Sequence, residues 1–220
     1  MFDTHWGKAA RLLAVISSGL LALVLAGCAV PLPFGLGQPA MAGTDLSGTP
    51  APGFTLPNAS GQQVSLQQFQ GKAVALTFIY TSCPDVCPLI TQKFGQAYSR
   101  LGADASKVQL LAVTVDPETD TGPRIAQYSR AMGLAGKWQF LTGARQQLEP
   151  IWKAYYVSPV SAQQAQLLVQ KGPAAAASDP SFAGIHTAGA FVIDAQGKER
   201  RLLDADFSVD DLVRDLKALA

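Results

Sequence analysis

From Phe54 onward the chain alternates short apolar runs with stretches of helical spacing. Phe54-Thr55-Leu56 and Gln63-Val64-Ser65-Leu66, parted by a polar turn at Asn58 to Gly61, predict a small hairpin. Residues 73–80 form one unbroken apolar run of strand length, as expected of a strand covered on both faces and therefore central in a sheet. Leu89, Phe94, Ala97, Tyr98 and Leu101 then recur at helical spacing up to Gly102, and residues 108–115 are a second all-apolar strand. Two such strands joined through a helix predict a parallel crossover. A helix over about 123–132 follows, then a short strand at 138–141. A further helix over about 145–156 carries Leu148, Ile151, Trp152 and Tyr155 on one side. The chain closes with a strand at 188–194, a Gln196-Gly197 turn, a strand over about 199–203 and a helix over about 209–219.

This order, with no internal repeat, predicts an α/β fold: a thioredoxin-like sandwich with a central mixed sheet flanked by helices. Two segments break the alternation. Residues 157–183 are rich in Ala, Gln, Ser, Gly and Pro, with only Lys171 and Asp179 charged, and predict an inserted loop or hairpin before the last strands. Residues 29–53 are dense in proline and glycine, with almost no charge or periodicity, and predict a flexible tether. At about 3.1 Å per residue, that tether could hold the folded part roughly 75 Å from its point of attachment.

Ahead of the tether, Lys8 and Arg11 precede a mostly apolar run from Leu12 to Leu25, which ends in Leu25-Ala26-Gly27-Cys28. This pattern predicts a lipoprotein signal peptide over residues 1–27, with Cys28 lipidated after cleavage. The run falls short of the roughly 20 residues a spanning helix needs, and Pro31 and Pro33 oppose its extension. The alternatives are a plain secretory signal cut after Ala40-Met41-Ala42, or an uncleaved anchor. The domain plan is thus 1–27 signal, 28–53 lipid-anchored tether and 54–220 folded domain, on the extracytoplasmic, periplasmic side of a membrane.

Of the 220 residues 48% are hydrophobic, enough for a single core, and 17 basic against 16 acidic side chains give a net charge of +1. That balance offers no electrostatic footprint for nucleic acid. Cleavage before Cys28 would remove His5 and commit Cys28 to lipid, leaving Cys83, Cys87 and His186 as the soft ligands of the mature chain. Met41 and Met132 are not clustered.

Cys83 and Cys87 lie in Thr81-Ser82-Cys83-Pro84-Asp85-Val86-Cys87-Pro88, where a buried strand runs into a helix. Open α/β sheets place ligands at that end of their strands. Cysteines four apart on a helical turn can share one metal or close a disulfide, and a helix N-terminus favours thiolate. Three uses fit: a metal site, a redox-active pair, or an inert structural disulfide. His186, just before the strand at 188–194, is the third candidate ligand, since in a thioredoxin-like fold that strand entrance faces the cysteine loop. Two thiolates and one imidazole suit Cu(I) and leave a position open for transfer. Structural zinc would need a fourth ligand, such as Asp85 or Asp116.

The run Phe78-Ile79-Tyr80-Thr81-Ser82-Cys83-Pro84-Asp85-Val86-Cys87-Pro88 is followed by Val113-Thr114-Val115-Asp116-Pro117-Glu118-Thr119-Asp120. Phe140-Leu141-Thr142-Gly143 comes next, and then His186-Thr187 leading to Phe191-Val192-Ile193-Asp194. With these motifs in order from about Pro52 to the C-terminus, the chain resembles the Sco/SenC family of copper-handling proteins. The resemblance implies copper held by Cys83, Cys87 and His186 as Cu(I), with Cu(II) left open. It implies delivery to the dinuclear copper centre of cytochrome c oxidase subunit II or another copper client, or reduction of that centre's cysteines. A periplasmic copper donor and a thiol reductant are the further partners expected, and the alternative functions for the same site are a thiol–disulfide oxidoreductase acting through Cys83 and Cys87 or a copper or redox sensor. Asp116 and Asp120 match the family's acidic motif near the site, where a helix cap and a loop turn are the competing roles. Gly122, Phe182 and the Ala- and Gln-rich 157–183 segment depart from the family pattern. Asp85 and Lys93 lie close enough in sequence to tune the site, or serve only as solvated surface residues.

Overall fold

A computed structural model of the chain describes residues 43–172 and 189–220. The predicted signal peptide, Cys28, Phe182 and His186 lie outside them. The elements in chain order are β1 (Thr44–Pro50), β2 (Thr55–Pro57), β3 (Gln63–Ser65), β4 (Ala73–Ile79), α1 (Val86–Leu101), β5 (Val108–Thr114) and α2 (Gly122–Ala131). Then come β6 (Trp138–Leu141), α3 (Arg145–Ala154), α4 (Ala162–Lys171), β7 (Gly189–Ile193), β8 (Lys198–Asp204) and α5 (Val209–Leu219). Six strands form one sheet in the order β1-β8-β7-β4-β5-β6, and β2 pairs with β3 in a separate hairpin. β4, β5 and β6 are parallel, while β7 runs antiparallel to β4, β8 to β7 and β1 to β8. The fold is thioredoxin-like, as the order of apolar runs predicts.

Every residue of β4 is buried, because β5 and β7 take its two edges and side chains cover both faces. One cover is aromatic: Tyr155 lies 5.2 Å from Phe78 and 5.1 Å from Phe191, ring centroid to centroid, with Phe54 at 6.3 Å. The Tyr155 hydroxyl donates to the Pro52 carbonyl at 2.9 Å, and Trp152 Nε1 donates to the Thr114 carbonyl at 2.9 Å. Both polar tips are thus satisfied in the core, and α3 is tied to the end of β5. Another part of the core is built from α1 and α5, through Phe94, Phe207, Leu212 and Leu216.

Two expectations change. Residues 44–50, assigned to the flexible tether, form an edge strand on β8. Its Pro and Gly content concealed it, and both features suit an edge. Ser47 and Gly48 take positive φ at the irregularity between Asp45 and Thr49, and Pro50 ends the strand where no further partner needs its N–H. Asp45 also pairs with Arg201 of β8 at 2.7 Å. The 157–183 segment, expected as loop or hairpin, contains α4. Ser161 caps that helix, its Oγ accepting from Gln164 N at 3.3 Å while its N–H donates to Gln164 Oε1 at 2.7 Å. Residues 173–183 lie outside the description.

Gly122, one of the departures from the family pattern, opens α2 where the β2–β3 turn crosses it. A Cβ there would stand 2.5 Å from the Ala59 carbonyl oxygen, so only glycine admits this approach without movement. Gly189, first residue of β7, is under the same constraint, 2.2 Å from the Leu203 carbonyl oxygen.

Candidate metal and thiol site

β4 hands the chain to α1 in a tight turn. Cys83 N donates to the Tyr80 carbonyl at 3.3 Å, and α1 begins at Val86, earlier than the periodicity alone predicts, so Cys87 sits in its first turn. Asp85, at the N-cap position, makes no side-chain cap. The cap is a sulfur instead: Cys83 Sγ accepts from Cys87 N at 3.4 Å. Both thiols are free, Cys83 being 8% exposed and Cys87 fully buried.

This geometry splits the pair. A hydrogen bond from the Cys87 thiol, joined by the backbone N–H groups of Asp85 and Cys87 and by the Tyr80 hydroxyl, lowers the Cys83 pKa to about 6 against the effect of burial. Burial, reinforced by the neighbouring Cys83 sulfur, pushes the Cys87 thiol well above its usual value. The helix start therefore favours thiolate at Cys83 and not at Cys87. Behind Cys87, the Thr91 hydroxyl donates to the Cys87 carbonyl at 2.8 Å and meets the Tyr128 hydroxyl at 2.8 Å. Since the one Thr91 hydrogen is used on the carbonyl, Tyr128 supplies the hydrogen of the second bond.

Asp120 is fully buried at the carboxyl ends of the parallel strands. Its Oδ1 accepts from Thr81 N at 3.0 Å and from Thr81 Oγ1 at 2.5 Å, and its Oδ2 accepts from Thr114 Oγ1 at 2.6 Å. Burial raises its pKa to about 6 in spite of these donors. Asp116 is also buried, and burial raises its pKa, opposed by Thr119 and aided by the charge of Glu118. Neither Asp116 carboxylate oxygen has a hydrogen bond of good geometry among the described residues. Helix capping accounts for neither aspartate, because Thr121 occupies the N-cap of α2.

Asp85 is exposed. Lys93 turns to the β8–α5 loop, donating to the Ala205 carbonyl at 2.8 Å and lying 4.7 Å over the Phe207 ring. Sequence reasoning misses Tyr80, Thr81, Thr91 and Tyr128, as well as Arg124, whose Nη2 donates to Ser82 Oγ at 2.9 Å. Tyr80, Thr81 and Ser82 stand inside the quoted motif, but nothing in a single sequence distinguishes their contacts. Among the described residues no three His, Cys, Asp or Glu side chains converge as a metal site, and no helix is long and apolar enough to cross a membrane. Cys83 and Cys87 come together as predicted, and His186 lies outside the described residues.

The family model described as SCO1/SenC matches residues 44–220. The SCO1 protein homolog of Bacillus subtilis is 32% identical over 94 residues, covering 42% of this chain and 49% of its own length. The mitochondrial SCO1 homolog of Homo sapiens is 31% identical over 110 residues, covering 48% of this chain and 36% of its own. The chain thus spans half or less of these relatives. Among solved structures, apo Sco1 from Thermus thermophilus superposes with a TM-score of 0.63 at 29% identity, covering 83% of this chain and 100% of that one. Copper-bound ScoI from Bradyrhizobium japonicum superposes with a TM-score of 0.62 at 23% identity, covering 78% and 100%, a likeness of fold.

Alkylation of the reduced protein should modify Cys83 with a pH midpoint near 6 and leave Cys87 largely unreacted, as peptide mass spectrometry would read; equal rates at the two thiols would contradict the split. Asp120 has a folded pKa above its unfolded value, so its contribution to stability is complete below about pH 4 and is lost as pH rises through about 6. Urea denaturation across that window should show a fall that is flattened in Asp120→Asn.

Proposed function

Because the chain belongs to the SCO1/SenC family, we propose that it is a copper chaperone, binding one copper ion through Cys83, Cys87 and His186 and passing it to the dinuclear copper centre of cytochrome c oxidase subunit II. The observation that carries this reading is the free dithiol at the start of α1, with Cys83 just ahead of the helix, Cys87 in its first turn and Cys83 Sγ accepting the Cys87 N–H. Two sulfurs and an imidazole are a soft donor set that favours Cu(I) and leaves room for an incoming ligand, which is what transfer requires. One solved relative in fold is described as copper-bound, and another as a member of the Sco family of cytochrome c oxidase assembly proteins.

The split between the thiols favours a second reading, thiol–disulfide exchange. Cys83 thiolate would attack a client disulfide, and Cys87 would then displace the client sulfur. The client leaves with two thiols and the protein with a Cys83–Cys87 disulfide. His186 has no part in that sequence, which makes it the discriminating residue.

The protein is placed on the extracytoplasmic side of a membrane through a lipid on Cys28. Support comes from the Leu25-Ala26-Gly27-Cys28 run after the apolar segment, and from a Bacillus anthracis relative in fold described as a SCO1/SenC family lipoprotein.

Anaerobic titration of the reduced protein with Cu(I) against a chromophoric competitor should give one tight equivalent. His186→Ala should weaken it by orders of magnitude while keeping dithiol turnover. Weak binding in the wild type, unchanged by the substitution, would shift the assignment to thiol–disulfide exchange. Intact-mass analysis of protein extracted from membranes should find an acylated N-terminal Cys28; a mature N-terminus at Gly43 would overturn the anchor.

A further inference from the structure

The geometry points to a clamp in which Asp120 and three threonines set the position of the cysteine loop, with Thr81 as the clamp's contact on that loop. The inference rests on the reading of Cys83 and Cys87 as the working pair, and names what holds them in register.

Three neighbouring parallel strands end at Asp120. Thr81 lies two residues beyond the end of β4 and gives Asp120 Oδ1 both its N–H, at 3.0 Å, and its hydroxyl, at 2.5 Å. Thr114, last residue of β5, gives its hydroxyl to Oδ2 at 2.6 Å. Thr142, directly after β6, gives its hydroxyl to the Asp120 carbonyl at 3.2 Å. The Thr114 oxygen also accepts from Asp116 N at 2.9 Å, which fixes the start of the turn that carries Asp120. A buried carboxylate is a costly tie unless donors meet both its oxygens, and here they do.

The tie acts on the sulfurs through a short chain of bonds. Past Ile79, whose carbonyl still accepts from Val115 N at 3.0 Å, the Thr81 N–H is given to a side chain 39 residues away. One residue earlier, the Tyr80 carbonyl takes the Cys83 N–H. The Cys83 backbone is thus fixed by the peptide unit the clamp holds, and its sulfur alone meets the Cys87 N–H, whereas the Cys87 backbone is placed by α1 and by Thr91. Releasing Thr81 loosens the backbone hold on Cys83 and leaves that on Cys87. A role confined to stability would leave the relation between the two sulfurs alone.

The test is the exchange of the full-length protein, solubilised in detergent, with dithiothreitol. Protein dithiol and oxidised dithiothreitol give protein disulfide and reduced dithiothreitol, two electrons and two protons passing from one pair of sulfurs to the other. Thr81→Val removes the hydroxyl and keeps the shape and the N–H, Asp120→Asn weakens the acceptor, and Thr81→Ser restores the donor. The exchange constant should move by about fivefold or more in Thr81→Val and Asp120→Asn. It should move no further in the double variant than in the larger single, and return to the wild-type value in Thr81→Ser. Constants within about twofold of wild type, with urea midpoints that fall, would reduce the clamp to a stability element and overturn the inference. If Asp120→Asn does not fold, the comparison of Thr81→Val with Thr81→Ser decides alone. No copper enters the measurement, so a wild type that binds no copper defeats the chaperone reading and leaves this result intact.

Discussion

Because β4 lies between two strands with both faces covered, its backbone has no access to water before Ile79, and the chain must leave the ladder there without stranding polar groups. It does so within a few residues. The Ile79 carbonyl continues the pairing with Val115, the Tyr80 carbonyl takes the Cys83 N–H, and Asp120 takes the Thr81 N–H. The cysteine loop is the form this exit takes. Its sulfur is drawn into the same accounting, since Cys83 Sγ receives an N–H of α1 that Asp85 leaves uncapped.

From that exit follows the difference between two chemically identical side chains. Cys83 lies ahead of the helix and collects donors, whereas Cys87 lies within it and is covered. The first is prepared to bind metal or attack sulfur near neutral pH. The second gives up its proton only when a partner, metal or disulfide, supplies the reason. Both proposed activities draw on this asymmetry, and they part only at the third ligand.

Much of this was legible in the sequence because it depends on continuous apolar runs and fixed spacings. The runs at 73–80 and 108–115 announced β4 and β5, and Cys-x-x-x-Cys at a strand-to-helix junction announced the thiol pair. What stayed hidden depends on contacts across the chain. Asp120 read equally well as a cap or a turn, and only the fold shows its carboxylate reaching Thr81. The burial that separates Cys87 from Cys83 has no local signature. β1 was masked by its own edge-strand chemistry, Pro, Gly and polar residues that resemble a linker. α4 was masked because Ala and Gln serve as well in a helix as in a spacer, and its described apolar side chains divide between core and solvent, with Ala165 buried and Val169 exposed.

The docking of β1 has a mechanical side. Whatever precedes Gly43 reaches the domain through β1, which is held by pairs of Thr44 and Asp45 with Leu202 and Arg201, and of Thr49 and Pro50 with Glu199 and Lys198. Two strands, β8 and β7, stand between it and β4. A pull arriving from the N-terminal side is therefore borne by the far edge of the sheet and by the Asp45–Arg201 pair, while the thiols ride on the interior strand. The arrangement works as a strain relief of the kind fitted where a cable enters an instrument: tension stops at the housing, and the contacts inside keep their alignment.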